Sequence, residues 1–331
     1  MDITKSPLFE MIQQQEDTNT SLYKPKTLSA FFGQEKLKQK LHLYIQAARV
    51  RKEPLDHLLL FGPPGLGKTT LATIISQELN TDIRTCSGPM LDRTGDLVAI
   101  LSGLKERDIL FIDEIHRLPI TIEEVLYSAM EQFKVDVILG QGIGAKTITI
   151  PLAPFTLIGA TTKSGMLSAP LRSRFGIQER LDFYTREELS ELITVYAKTL
   201  SYELEKEAAL IIAACARGTP RVAKKLFLRI RDFAQVKNNT IITPQVTHDA
   251  LDLLDINPLG LTPVDLDFLR ILKEHAPHPV GLDTLACLLG EDAQTLEEVY
   301  EPFLLRSGYI EKTPRGRIIA PVYDQKKIFN L

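Results

Sequence analysis

The sequence of 331 residues contains no tryptophan, only three cysteines and no apolar run long enough to span a bilayer. The cysteines stand far apart, and their odd number argues against a disulfide framework. We expect all three, Cys86, Cys215 and Cys287, to be small core residues in a reducing compartment. The six histidines show no metal-ligand spacing, so no structural zinc is predicted. The N-terminus lacks the layout of a signal peptide. These absences favour a cytoplasmic protein that makes no use of a membrane.

An excess of basic residues is missing as well, because the formal net charge is −3. That balance argues against a chain that binds nucleic acid over its whole surface, but it leaves room for a local basic patch. The length exceeds that of one typical domain, so two or three domains are expected.

What the sequence does contain, up to Tyr184, is an alternation of strand-like and helix-like segments. Strands are predicted at His57–Phe61, Asp82–Cys86, Asp108–Asp113, Thr156–Thr162 and Glu179–Phe183. Helices are predicted at Gln34–Arg51, Thr69–Leu79, Leu97–Leu104 and Ile120–Glu131. Such alternation indicates an α/β domain, a parallel sheet with helices on both faces, which we place at residues 1–184.

The pattern changes after Tyr184, where Thr185 and Glu188 form the start of a capping box. Residues 185–255 are predicted to form a small all-α domain of four helices with no strand among them. Residues 256–331 begin with a linker and continue with three helices and a β-hairpin within Ser307–Ile319. Three helices followed by a hairpin are the elements of a winged helix, a variant of the helix-turn-helix.

Residues 62–69 read Gly-Pro-Pro-Gly-Leu-Gly-Lys-Thr between an apolar strand and a helix, which is the working context of a phosphate-binding loop. Its glycines, Gly65 and Gly67 among them, would let backbone N–H groups face a phosphate chain at a helix N-terminus. Lys68 is expected to reach the β- and γ-phosphates, and the Thr69 hydroxyl to hold Mg²⁺. The predicted cofactors are therefore ATP or ADP with Mg²⁺.

A second apolar strand ends in two acids, Asp113 and Glu114. Ligands of nucleotide-binding sheets lie at the carboxyl ends of the strands. Asp113 is therefore predicted to hold Mg²⁺, directly or through water, and Glu114 to orient and deprotonate the attacking water.

Three further features have two interpretations on spacing alone. The hydroxyls that end Thr156–Thr162 either sense the γ-phosphate or are satisfied core threonines. Arg172 and Arg174 precede a strand, where an arginine either acts in trans on a neighbouring subunit's nucleotide or forms a surface salt bridge. Arg221 lies in the first turn of a helix, which is unfavourable for a cation unless an anion such as a nucleotide phosphate is close.

Two segments indicate surfaces for larger partners. Residues 134–150 contain two β-rich runs around a glycine-rich linker, typical of a projecting hairpin that binds a partner or packs on its own domain. Lys312, Arg315 and Arg317 lie on the predicted wing, where cations either contact DNA phosphates or form a solvated loop.

With these motifs, the sequence resembles the RuvB family of AAA+ ATPases, the bacterial motors of Holliday-junction branch migration. The resemblance runs from about Leu22 to Pro321 and is strongest at residues 55–71, 111–118, 154–162, 168–175 and 217–221. It implies an ATPase and DNA helicase of homologous recombination, DNA repair and the SOS response. It also implies a hexameric ring on duplex DNA at Holliday junctions, a RuvA-type partner bound through residues 134–150, and a RuvC-type resolvase as a further candidate partner.

The resemblance also assigns roles that spacing leaves open. Thr162 matches the first sensor, Arg221 the second sensor, and Arg174, rather than Arg172, the finger that acts on the neighbouring subunit. The implied catalytic set is Lys68, Asp113, Glu114, Thr162 and Arg174. The implied nucleotide contacts are Tyr23, Lys24, Gly65, Gly67, Lys68, Thr69, Thr70, Glu131, Gln132, Phe133, Tyr184 and Arg221. The implied DNA contacts are Lys312, Arg315 and Arg317.

The chain departs from the family pattern at a few of these positions. Lysine replaces the usual arginine at Lys24 and Lys312, which keeps the charge but loses the fork geometry of a guanidinium. Gln132 replaces a usual acid. Two rival interpretations are a clamp loader or protein remodeller, and a DNA-binding subunit that keeps a nucleotide only for structure. The hairpin and the wing argue against the first, and the intact catalytic set argues against the second.

Overall fold

The computed structural model describes residues 25–139 and 146–320. These residues divide into two compact units. The sheet unit comprises residues 25–139, 146–184 and 219–221, and the helical unit comprises residues 185–218 and 222–320.

The sheet unit is built on five parallel strands in the order β2-β3-β6-β1-β7, which confirms the predicted parallel sheet. The strands are β1 Leu58–Phe61, β2 Ile83–Ser87, β3 Ile109–Asp113, β6 Thr156–Thr161 and β7 Ile177–Arg180. The strand predicted at Glu179–Phe183 was placed too late. β7 begins at Ile177 because Ile177 and Glu179 turn inward while their neighbours face out, so burial and not hydrophobicity alone marks the strand.

Helices flank this sheet. They are α1 Glu35–Arg51, α2 Lys68–Leu79, α3 Thr94–Ser102, α4 Ile120–Gln132 and α5 Ala169–Ser173, with 3₁₀ turns at Gly88–Met90, Ile115–Arg117 and Ser164–Met166. On α4, Ile122, Leu126 and Ala129 recur at helical spacing and pack with Leu110 and Ile112 of β3 in one buried core. This packing fixes both α4 and the end of β3.

A hairpin of β4 Lys134–Leu139 and β5 Lys146–Pro151 follows α4, with antiparallel pairing from Lys134 and Pro151 to Leu139 and Lys146. The hairpin predicted at residues 134–150 is therefore present. The predicted glycine-rich linker between its strands, at residues 140–145, lies outside the described residues.

The four predicted helices after Tyr184 are α6 Arg186–Thr199, α7 Lys206–Cys215, α8 Pro220–Val236 and α9 Pro244–Leu253. The capping box of α6 is formed: Glu188 N donates to Thr185 Oγ1, and Thr185 N donates to Glu188 Oε2. The expectation that no strand lies among these helices was wrong. β8 Glu203–Leu204 and β9 Ile241–Ile242 pair in parallel, and two residues are too few for a strand period to appear in the sequence.

The C-terminal part confirms the winged helix. Its helices are α10 Pro263–His275, α11 Leu282–Leu289, α12 Ala293–Thr295 and α13 Glu301–Arg306, with a π-helical turn at Leu296–Tyr300 between the last two. The wing pairs β10 Ile310–Thr313 with β11 Gly316–Ile319. Phe268, Leu269 and Leu304 are fully buried at the centre of a core of their own.

Two expectations from composition meet the structure here. Cys215 is buried and Cys86 half-buried, but Cys287 is exposed on α11, so the expectation of a core residue was wrong at that position. No helix in the described part of the chain is long and apolar enough to cross a membrane.

Candidate nucleotide site and wing

The phosphate loop connects β1 to α2 through a tightly constrained backbone. Gly67 caps α2 with a φ of 99°, a left-handed conformation that favours glycine. Gly65 also has a positive φ, of 78°, and a Cβ there would lie 2.9 Å from Cβ of Arg221. Glycine at both positions therefore lets the loop curl against the start of α8.

Lys68, the first residue of α2, is almost entirely buried, with 8% of its surface exposed. Its Nζ donates to the carbonyls of Gly62 at 2.8 Å and Pro63 at 2.9 Å. Burial lowers the pKa of Lys68 to about 8; the charge of Asp113 opposes this shift and that of Arg221 adds to it. A buried ammonium held by carbonyls is stabilised by an approaching anion, so the loop fits the phosphates of ATP or ADP.

The predicted metal ligands lie next to each other. Thr69 Oγ1 donates to Asp113 Oδ2 at 3.3 Å, and Asp113 Oδ1 accepts from Glu114 N at 2.9 Å. Thr70, one residue on, is half-buried on α2. The described residues contain no cluster of three or more histidine, cysteine or carboxylate groups that could hold a metal. One carboxylate and one hydroxyl fit Mg²⁺, because this ion commonly takes few protein ligands and completes its shell with water and phosphate oxygens.

Glu114 stands at the end of β3 in an unusual backbone conformation, with a φ of 48°. Left-handed backbone in a residue other than glycine stores strain and clusters at functional sites. The Glu114 carboxylate is half-exposed and pairs with Arg117 through Oε2 and Nη1 at 3.1 Å. An exposed pair of this kind contributes about 1 kcal/mol or less, so Arg117 holds the Glu114 carboxylate only weakly.

Thr161, the last residue of β6, and Thr162, directly after it, have different environments. Thr161 is buried, with Oγ1 3.0 Å from His116 Nδ1 and accepting from Lys163 N at 3.0 Å. Thr162 follows the strand in a bend and is exposed. The satisfied core threonine is therefore Thr161, whereas Thr162 is exposed directly after the carboxyl end of β6. The contact of His116 with Thr161 had no signal in the sequence.

Arg174 lies directly after α5, and its guanidinium has three contacts within its own chain. Nη1 donates to Pro170 O at 2.7 Å, the guanidinium carbon lies 4.5 Å from the ring centre of Tyr127, and Nε lies 3.1 Å from Glu131 Oε1. Nε is buried and, among the described residues, has no partner with hydrogen-bond alignment. Arg172, in contrast, donates through Nε to Gln178 Oε1 on the surface.

Glu131 and Gln132 end α4, and Phe133 follows as its C-cap. Glu131 pairs with Arg174, Gln132 is exposed, and Phe133 packs against the rings of His57 and Phe155. The side chain of Glu131 thus contacts Arg174, and the ring of Phe133 contacts the two other rings.

Two more of the predicted residues form hydrogen bonds with the backbone of the phosphate loop. Tyr184 is buried, and its hydroxyl donates to Leu66 O at 3.3 Å. Arg221 N donates to Gly65 O at 3.4 Å, while the Arg221 side chain is exposed. Tyr23 and Lys24 lie outside the described residues.

On the wing, the three predicted DNA contacts differ in exposure. Lys312 is exposed and pairs with Glu297 at 3.1 Å, and Arg315 is exposed at the turn between β10 and β11. Arg317 is buried, and its guanidinium donates through Nε and Nη2 to the two carboxylate oxygens of Glu301. A DNA contact by Arg317 would require this buried pair to open, so Lys312 and Arg315 are better placed for phosphates.

Comparison with known proteins gives matches along nearly the whole chain. Three family models match in succession: the Holliday junction DNA helicase RuvB P-loop domain at residues 23–181, the RuvB AAA lid domain at residues 184–257, and the RuvB C-terminal winged helix domain at residues 258–322.

Among solved structures, the RuvB Holliday junction branch migration motor of Thermotoga maritima is 48% identical to this chain, with a TM-score of 0.81. The match covers 91% of this chain and 96% of that one. Two single-residue mutants of the same protein are 49% identical with TM-scores of 0.82, covering 90% of this chain and 96% and 95% of theirs.

Proposed function

The chain belongs to the RuvB family of P-loop AAA+ ATPases and helicases, the motors of Holliday-junction branch migration, and on that premise we propose how it works. It acts as a ring, hexameric by family resemblance, around duplex DNA in the cytoplasm, during recombination and the response to DNA damage. The observation that carries the proposal is the convergence of Lys68, Thr69, Asp113 and Arg221 on one phosphate loop.

Each residue of this site has a chemical task that follows from its position. ATP supplies the phosphoanhydride bond whose hydrolysis drives the motor. Lys68 binds the phosphate oxygens, and Thr69 and Asp113 hold Mg²⁺. Glu114 leaves Arg117, orients the attacking water and accepts its proton. Thr162 holds the water or the γ-phosphate from the carboxyl edge of the sheet.

Arg174 acts in trans. Its position after α5 and its misaligned contact with Glu131 support a guanidinium that exchanges this carboxylate for a phosphate of the neighbouring subunit. By the family resemblance, Glu131, Gln132 and Phe133 are further nucleotide contacts. Hydrolysis is then coupled to ring assembly, since no subunit alone contains a complete site.

Two surfaces connect this site with its partners. The hairpin of β4 and β5 docks a RuvA-type junction-binding protein, and the 47% exposure of Ile148 on β5 supports an apolar contact there. Lys312 and Arg315 contact DNA phosphates, which gives binding that is independent of sequence and weakened by salt. A RuvC-type resolvase is a further candidate partner.

The direct test is Glu114→Gln, which removes the general base and keeps the shape of the side chain. We expect unchanged ATP binding and a fall in the hydrolysis rate of about 10²- to 10⁴-fold. Glu124→Gln, the same change at an exposed position of α4, serves as the matched control and should keep full turnover. Full turnover in Glu114→Gln would remove this residue from the reaction.

The partner half of the proposal has its own assay. Unwinding of a synthetic four-way junction should require ATP and be stimulated by a RuvA-type protein. Absence of unwinding with both present, in protein that still hydrolyses ATP, would contradict the assignment of the motor to junctions.

A further inference from the structure

A polar row on α4 faces the segment that ends in Arg174. Glu123, Tyr127 and Glu131 are spaced four residues apart and so share one face of the helix, beside the apolar face that buries α4 in the core. All three contact residues of the segment from Ser168 to Arg174.

Tyr127 is fixed at its hydroxyl end. The hydroxyl donates to Glu123 Oε2 at 3.1 Å and lies 2.9 Å from Ser168 Oγ, and Ser168 Oγ also bonds the same carboxylate. The Glu123 carboxylate is only 5% exposed, so these bonds are shielded from water. Ser168 also caps α5 by accepting from Leu171 N at 3.3 Å. One hydrogen-bonded group therefore fixes both the tyrosine ring and the short helix that ends at Arg174.

The two contacts of the guanidinium with α4 behave differently when a phosphate arrives. Glu131 binds Arg174 at an N–H edge, and a phosphate needs the same edges, so the two anions compete. Tyr127 contacts the face of the guanidinium and leaves its N–H edges free. The ring contact is therefore compatible with a bound phosphate, and it orients the guanidinium while Glu131 is exchanged.

We propose that Tyr127 is a positioning residue for Arg174, with its ring holding the face of the guanidinium and its hydroxyl, through Glu123 and Ser168, fixing that ring. The inference rests on the trans action of Arg174 proposed above. Tyr127 then serves the active site of the neighbouring subunit and not the site of its own chain.

Subunit mixing tests this directly. Tyr127→Leu removes the ring face, and the strength of such contacts predicts a fall in kcat of about 2- to 30-fold with the KM for ATP unchanged. Mixed in equal amounts with Glu114→Gln, whose finger is intact, the Tyr127→Leu subunits should regain activity, because half of their sites then receive a good finger. Loss of stability of the Tyr127→Leu subunit alone would not be repaired in this way.

A second mixture, of Arg174→Ala with Glu114→Gln, is measured in parallel and should also regain activity. If it does not, trans action fails, and the inference fails with it. If Arg174→Ala regains activity but Tyr127→Leu keeps full kcat alone, or loses kcat without recovery in the mixture, only the inference is overturned. Tyr44→Leu on α1 is the matched control and should keep full kcat.

A second variant tests the inference if Tyr127→Leu does not fold. Tyr127→Phe keeps the ring and loses only the hydroxyl, so kcat should fall by a smaller factor and recover in the same mixture. Full kcat in Tyr127→Phe overturns the role of the hydroxyl, and a fall without recovery in the mixture overturns the positioning of Arg174.

Discussion

The burial of Lys68 predicts an unusual dependence of stability on pH. The pKa of this ammonium in the folded protein is about 8, and its ordinary value is 10.5. The pKa difference of about 2.5, at about 1.4 kcal/mol for each pH unit, corresponds to about 3 to 3.5 kcal/mol by which burial disfavours the charged form. Lys68→Met removes the charge and keeps an unbranched side chain, so comparing the two proteins isolates this contribution.

The direction follows from proton binding. Between pH 8 and 10.5 the unfolded chain binds more protons at Lys68 than the folded chain, so the free energy of unfolding rises with pH across this window. Below pH 8 the full cost of burying the charge is present, and above pH 10.5 it is gone. The difference in unfolding free energy between wild type and Lys68→Met should therefore shift by about 3 kcal/mol in favour of the wild type across this window.

The assay is urea unfolding of both proteins without nucleotide, from pH 7 to 10.5, followed through the transition of the sheet unit. Other titrating groups cancel in the difference between the two proteins. Lys36→Met, at an exposed position of α1, is the matched control and should give a constant difference from wild type. A constant difference for Lys68→Met as well would refute the claim that this ammonium is buried at such a cost.

Two further predictions concern buried partners. Burial lowers the pKa of His57, whose Nδ1 accepts from Leu157 N, so stability should fall as pH drops below 6.5, and His57→Gln should flatten that fall in urea titrations from pH 7 to 5. On the wing, Glu301→Gln leaves the Arg317 charge buried without its partner and should destabilise that domain by about 3 to 5 kcal/mol in calorimetry. Arg315→Ala should leave stability within about 0.5 kcal/mol and lower the salt dependence of duplex binding by about one phosphate contact; equal effects from the two wing variants would contradict this division.

The residues of the phosphate loop were predictable because their signal is local. Strand, glycines, lysine and helix follow one another within residues 57–79, so chain order alone brings Lys68 to the loop. Asp113 and Glu114 were predictable for a related reason, since a parallel sheet puts the carboxyl ends of β1 and β3 at the same edge.

The environments of Arg174 and Arg317 were not predictable from spacing. Tyr127 reaches Arg174, and Glu301 reaches Arg317, only after distant segments pack together, and neither pairing has a sequence period. The sequence therefore predicted three equivalent cations on the wing, whereas the fold buries Arg317. The pair of β8 and β9 was not predicted either, because a strand of two residues is too short to show a period in the sequence.

Charge pairing distinguishes the structural cations of this protein from those that we propose to bind a ligand. Arg317 is buried against Glu301, and the half-buried Arg217 pairs with the buried Asp265, each with a carboxylate in hydrogen-bonding contact. Burying a charge is costly unless it is paired in this way. Lys68 is buried against two carbonyls, and Arg174 holds a carboxylate at the wrong angle for Nε. These two charges are less closely compensated than those of Arg317 and Arg217, and in the proposed function an anion completes both, from its own nucleotide at Lys68 and from its neighbour's at Arg174.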